Sequence, residues 1–188
     1  MINKTKIVIV SPHMIAGGVE RALINMMRAL ARYEEVEVTL LLARKDGIFL
    51  DSIPREIKVS EIVMPAGDRE RLFRGFILNS VWYYLRRGMI VSALRLAWLR
   101  LAGKDPVPEL LGNFGNIPPL PGSFDIAIAY HMHMPFLVKY VSEKITARRK
   151  IAWMQNDLKK SMLNIAPLVR TLESFSAIYA VSRGLADE

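Results

Sequence analysis

The chain of 188 residues contains no cysteine, which excludes a disulfide scaffold, a thiolate metal site and cysteine nucleophilic chemistry, and fits a reducing compartment. It has no long apolar run either. The longest stretch without charge, Leu110 to Phe124, holds three prolines and three glycines, so nothing reaches the roughly 18 apolar residues of a spanning helix. Its start, Met1 to Lys6, lacks the basic segment, apolar stretch and small-residue cleavage site of a signal peptide. Acids are scarce in one place above all: none falls between Arg71 and Lys104. What the sequence does have is apolar mass, 52% hydrophobic against 23% charged residues, enough for the core of one globular domain over residues 1–188. Its 26 Lys and Arg against 18 Asp and Glu give +8, which suits an anionic partner: phosphate, acidic lipid, nucleotide or nucleic acid.

Short β-branched apolar runs recur at Lys6 to Val10, Val36 to Ala43, Ile57 to Ile62, Ile126 to Tyr130, Lys150 to Met154 and Ala177 to Val181. Continuously apolar strands of this length are covered on both faces, as in a parallel sheet. Between the first two runs, Val19, Ala22, Leu23, Met26, Met27 and Leu30 form an apolar stripe of helical period. A second helix is expected over Pro135 to Lys144, and a third within Asp157 to Ser174, broken or restarted at Pro167. The rhythm predicts an α/β fold: a doubly wound, Rossmann-like parallel sheet with helices on both faces.

A helical insertion over residues 68–104 interrupts that rhythm, with two helices hinged near Gly88. Seven arginines and Lys104 against Asp68 and Glu70 give it +6 of the total charge. Arginine and aromatic residues together suit docking on an anionic bilayer, and the candidates are Arg86, Arg87, Arg95, Trp98 and Arg100. Of its 37 residues, 21 are apolar, so covering the sheet is the other use open to it. The arginines alternate with bulky apolar residues and no recognition motif is present, so no nucleic-acid partner is expected.

Three polar motifs follow strand ends, where open α/β sheets bind ligands. The first is Gly17-Gly18-Val19-Glu20: paired glycines opening a helix let backbone N–H groups approach an anion, or simply make a tight turn. The second is Tyr130-His131-Met132-His133-Met134-Pro135. Two histidines two apart on a strand share a side, but no third ligand stands at a telling spacing, so no metal is expected. The third is Gln155-Asn156-Asp157, where Asn156 and Asp157 serve either as helix caps or as partners for sugar hydroxyls. There is no Gly-x-Gly-x-x-Gly fingerprint, no Asp-x-Asp pair and no nucleophile elbow.

In combination these motifs resemble the N-terminal domain of GT-B retaining glycosyltransferases, the large family of bacterial and archaeal mannosyl-, glucosyl- and galactosyltransferases. The resemblance rests on the Lys6 to Val10 strand, Gly17-Gly18-Val19-Glu20-Arg21, Glu37 to Leu40, His131 to Pro135, Lys150 to Asp157 and Val181-Ser182. It implies that Gly17, Gly18 and Glu20 lie against donor diphosphate or acceptor and that His133 contacts the donor sugar, with Asn156 and Asp157 as further substrate-binding candidates. Where the family often has histidine, this chain has Gln155. The nucleotide-binding residues of such enzymes belong to a C-terminal donor-binding domain, absent here; this chain would bind no cofactor itself, and the nucleotide sugar would be the donor of the full enzyme. The resemblance therefore implies the acceptor-side half of a hexosyltransferase, inactive in isolation. It would act on a lipid-linked or polysaccharide acceptor, in the cytoplasm or peripherally on the inner face of the cell membrane. The alternative is a non-catalytic membrane-docking subunit that recruits a separate donor-binding subunit. The closing Ala180 to Glu188 reads as a strand and the first turn of a helix, so further sequence or a partner subunit is expected beyond it.

Overall fold

The computed structural model describes residues 4–65, 69, 80–86, 88–104, 107, 114–155 and 166–186. Six strands, β1 (Thr5–Ser11), β2 (Val36–Leu42), β3 (Lys58–Glu61), β4 (Ser123–Ala129), β5 (Thr146–Met154) and β6 (Ala177–Ala180), form one sheet. All pairings are parallel and the order is β3-β2-β1-β4-β5-β6. The apolar runs are continuous because alternate residues feed two cores. Ile7 and Ile9 face the helix α1 (Gly18–Leu30), together with Leu40, Leu42 and Ile128. Val8 and Val10 face the other way, toward Phe136, Leu137 and Val141 of α4 (Pro135–Lys144) and Leu168 of α5 (Ala166–Leu172). Each such side chain taken out of water contributes about 1.5–3 kcal/mol. The doubly wound, Rossmann-like α/β architecture expected from the rhythm is the one observed.

Details differ for physical reasons. On α1 the buried set is Glu20, Leu23, Ile24 and Met27, the i, i+3, i+4, i+7 positions, whereas Ala22 of the expected stripe is exposed. Strands β4 and β5 begin three and four residues before their apolar runs. Among their first residues, Arg149 pairs with Ile126 through the backbone while its side chain stands in solvent, so hydropathy carries no trace of it. Pro167 is the second described residue of α5.

The loop after β2 fixes the loop after β1. Met14 donates its N–H to the Asp46 carbonyl at 2.9 Å, Phe49 donates to the Met14 carbonyl at 3.0 Å, and Arg44 donates to the Pro12 carbonyl at 2.9 Å. The approach is close enough that a Cβ on Gly47 would strike the Met14 backbone, and Gly47 also has φ +116°, which side chains rarely adopt.

Within the expected insertion, α2 (Ser80–Arg86) and α3 (Ile90–Leu101) form a helical hairpin turning at Gly88, whose φ is +70°. The hinge falls where it was expected. The two helices pack on each other through a small core of their own, Tyr84, Ala93 and Leu96, flanked by Val81 and Met89. Neither helix packs extensively on the sheet among the described residues. Of the expected first helix, the part with Leu72, Phe73, Phe76 and Ile77 lies outside the described residues, as does Arg87, whereas its Trp82 lies on α2.

Candidate functional site

The strand order reverses between β1 and β4: from β1 the sheet runs outward through β2 and β3, from β4 through β5 and β6. Connections leave to opposite sides at such a point and open a crevice beyond the carboxyl ends. Ser11 ends β1, Tyr130 and His131 follow β4, and Gln155 follows β5, so these residues stand at one edge of the sheet. The first turn of α1 rises from the same edge. Its N-cap is Gly17, which has no side chain to occupy the leading N–H groups, and a Cβ on Gly18 would meet nothing within 4 Å. The two glycines are therefore different: Gly18 borders open space, whereas the space beside Gly17 is filled by the Glu20 carboxylate. Glu20 is the N3 residue of α1, its carboxylate folded back beside Gly17 and only 5% exposed.

All three histidines of the chain gather here. The rings of His131 and His133 lie 5.4 Å apart at a steep angle, and Tyr130 stacks edge-on against His131 at 5.7 Å. Burial pushes the His131 pKa down to about 3, and the neighbouring imidazoles of His133 and His13 act in the same direction. Burial also lowers His133. His13 is lowered by burial and partly restored by the carboxylates of Glu20 and Asp46. The cluster is thus neutral at pH 7, an array of imidazoles able both to donate and to accept hydrogen bonds. Tyr130 stays protonated, its pKa raised to about 12 by burial first and by the charge of Glu20 in lesser part.

Several polar atoms in this cluster are not spent on the fold. Ser11 Oγ, fully buried, and His131 Nε2, on a residue 5% exposed, have no hydrogen-bond partner among the described residues. The Gln155 amide lies close enough to the Tyr130 hydroxyl to favour its ionised form, yet completes no hydrogen bond of good geometry. A buried polar group without a partner costs about 1–3 kcal/mol, so their concentration at a switch point makes this edge the candidate site among the described residues.

Of the expected site residues, Gly17, Gly18 and Glu20 stand at the same sheet edge as His133, with Glu20 buried. His133 is half-buried and His131 is the more enclosed of the pair. Asn156 and Asp157 lie outside the described residues. Tyr130 stands in the second motif without a role, and none is given to Ser11 or His13; the signal for His13 is its position just past a strand end in a chain with only three histidines. Among the described residues no three His, Cys, Asp or Glu side chains are placed so that they could hold one metal ion, the histidine cluster included. A separate cavity of about 430 Å³ opens at the amino end of the sheet between Lys4, Tyr33, Glu37 and Glu56, with no converging reactive groups.

The hairpin presents a second surface of a different kind. Val91, Leu94 and Leu101 are 79%, 64% and 89% exposed, and Trp82, Ile90 and Trp98 are also exposed. Arg86 lies over the Trp82 ring at 5.0 Å and Lys104 over the Trp98 ring at 4.5 Å. Arg86, Arg95 and Arg100 are exposed as well. No helix among the described residues is long and apolar enough to cross a membrane. Comparison with protein-family models and with curated proteins finds no match for this sequence.

Proposed function

We propose that this chain is the acceptor-side half of a retaining glycosyltransferase, moving a hexose from a nucleotide sugar to a lipid-linked or polysaccharide acceptor. The observation that carries the reading is the convergence, at the strand-order reversal, of an open Gly18 helix start with buried, partnerless polar groups. The N–H groups of α1 suit a diphosphate, while neutral imidazoles, Ser11 and Gln155 suit sugar hydroxyls, for which paired donor and acceptor atoms are needed. His133 is the donor-sugar contact in this reading. The nucleotide would be held by a second domain, on the same polypeptide or another subunit, and the crevice would become catalytic when the two close on it.

The exposed apolar and cationic hairpin favours a peripheral site on the inner, cytoplasmic face of a membrane, where each Lys or Arg near acidic headgroups contributes about 1 kcal/mol. The same hairpin would serve a non-catalytic subunit that recruits a donor-binding partner, the second reading.

The test pairs the chain with its donor half, taken from the continuing reading frame or a neighbouring gene, and follows labelled sugar from uridine, guanosine and adenosine diphosphate donors onto membrane extract. Transfer abolished by His133→Ala supports the enzyme reading. Transfer that needs the chain but ignores His133 favours the recruiting subunit, and no transfer from any donor sinks the proposal.

A further inference from the structure

The helix α3 carries two apolar faces, and the fold uses one of them. At about 100° per residue, with Ile90 set at zero, Ala93 and Leu96 point to roughly 300° and 240°, where with Tyr84 of α2 they form the hairpin's own core. Leu101, Leu94, Trp98 and Val91 fall at roughly 20°, 40°, 80° and 100°, so with Ile90 they make a continuous stripe facing away from that core. Every member of the stripe is more than half exposed. Ile90 and Leu101 lie almost on one line along the helix, yet about 16 Å apart. A flat boundary takes in both only when the helix axis runs parallel to it. Twelve residues, about 18 Å long, also fall short of the roughly 30 Å hydrocarbon core, so α3 does not use the stripe by crossing a bilayer. The charges choose the occupant. Exposed Arg95 borders the stripe at about 140°, Lys104 lies over the Trp98 ring at 4.5 Å, and Arg86 lies over the Trp82 ring at 5.0 Å. No Asp or Glu occurs from Arg71 to Lys104. A second copy packed stripe to stripe would set cation against cation, whereas an acidic bilayer offers hydrocarbon to the stripe and anions to its margin.

We propose that α3 docks by insertion: it lies in the plane of an acidic bilayer with Ile90, Val91, Leu94, Trp98 and Leu101 sunk into the boundary between headgroups and acyl chains, and Arg86, Arg95 and Lys104 at the level of the phosphates. The inference rests on the peripheral-membrane part of the reading above and not on glycosyl transfer. It adds a division of labour, in which the cations bring the hairpin to the surface and the apolar stripe holds it there.

Phosphatidylcholine vesicles with and without phosphatidylglycerol test it on the 188-residue chain. Because the sequence has no cysteine, Ile90→Cys, Leu94→Cys, Arg95→Cys and Leu101→Cys can each carry a single spin label, and collision with oxygen against a water-soluble nickel chelate reads the depth of each. On vesicles containing phosphatidylglycerol, the labels at Ile90, Leu94 and Leu101 should lie at one depth below the phosphates, with that at Arg95 shallower. Depths at Ile90 and Leu101 that differ by the length of the helix would overturn the in-plane geometry. Labels that all stay in water on a bound chain would overturn insertion while leaving docking by charge in place. Leu94→Ser and Leu101→Ser, at exposed positions outside the hairpin core, should each weaken vesicle binding about tenfold at fixed salt; unchanged binding of both would refute the holding role of the stripe. Equal binding to the two kinds of vesicle would remove acidic headgroups from the proposal. A chain that ignores both kinds would sink the proposal together with the peripheral-membrane reading, and dimers dissolved by Leu94→Ser would then assign the stripe to a second copy. Insertion observed without sugar transfer in the paired assay would sink the glycosyltransferase reading and leave this docking intact.

Discussion

Neighbouring glycines with opposite surroundings make the sharpest contrast at the scale of single residues. Gly18→Ala adds a methyl to open space at the first position of a helix, and should stabilise the fold by about 0.5 kcal/mol through the unfolded chain. Gly17→Ala must displace a buried carboxylate and should cost about 1–2 kcal/mol. Urea titration of both variants measures the difference, and equal midpoints would mean that Glu20 moves aside freely. The histidines set a pH dependence whose sign follows from their lowered pKa values. Below about pH 6.5 the unfolded chain takes up protons that buried His131, with its pKa about 3, refuses, so stability falls as pH drops from 6.5 toward 3. His131 alone should account for a loss of about 2 kcal/mol between pH 7 and 5. His131→Asn should flatten that slope in thermal melts; an unchanged slope would place the uptake elsewhere. In a complete enzyme His133→Ala should lower turnover more than stability, with the reverse for His131→Ala. Comparable turnover of His133→Ala and the parent would remove His133 from the site.

Among the elements, the loop after β2 matters because it is what the crevice loop leans on. Gly47→Ala would meet both a forbidden φ and the Met14 backbone, and should cost about 2–4 kcal/mol in chemical denaturation, with the β1–α1 loop disturbed. A near-neutral effect would show that the two loops part easily. The hairpin is an element of another type, because several of its large side chains, Trp82, Ile90, Val91, Leu94, Trp98 and Leu101, point out rather than in. Replacing Arg86, Arg95 and Arg100 by glutamine should abolish sedimentation with acidic vesicles while leaving far-ultraviolet circular dichroism unchanged. Salt should weaken the parent's binding through the same charges, screened over a Debye length of about 10 Å at 0.1 M. Undiminished sedimentation of the triple variant would mean that these arginines do not dock the hairpin on lipid.

For the molecule as a whole, the isolated chain should transfer no sugar, and robust transfer by the purified 188 residues would overturn its assignment as half a site. The sheet, its order-setting rhythm and the carboxyl-edge placement of Gly18 and His133 were legible because alternating burial on two faces writes itself as unbroken apolar strands separated by helical stripes. The Glu20 fold-back was not, since a glutamate in a first helical turn reads the same whether it faces solvent or an imidazole. Nor was the independence of the hairpin: Tyr84, Ala93 and Leu96 look in sequence like any residues destined for the main core. That independence divides the protein's cooperativity. Among the described residues the core of Tyr84, Ala93 and Leu96 stands apart from the sheet cores, so it can open while β1 and β4 stay closed, and amide hydrogens of the described hairpin helices should exchange with solvent at a lower opening free energy than those of Ile7 to Val10. Such a hairpin can rearrange at whatever surface it meets without loosening the crevice, separating the part of the molecule that adapts from the part that must hold its geometry.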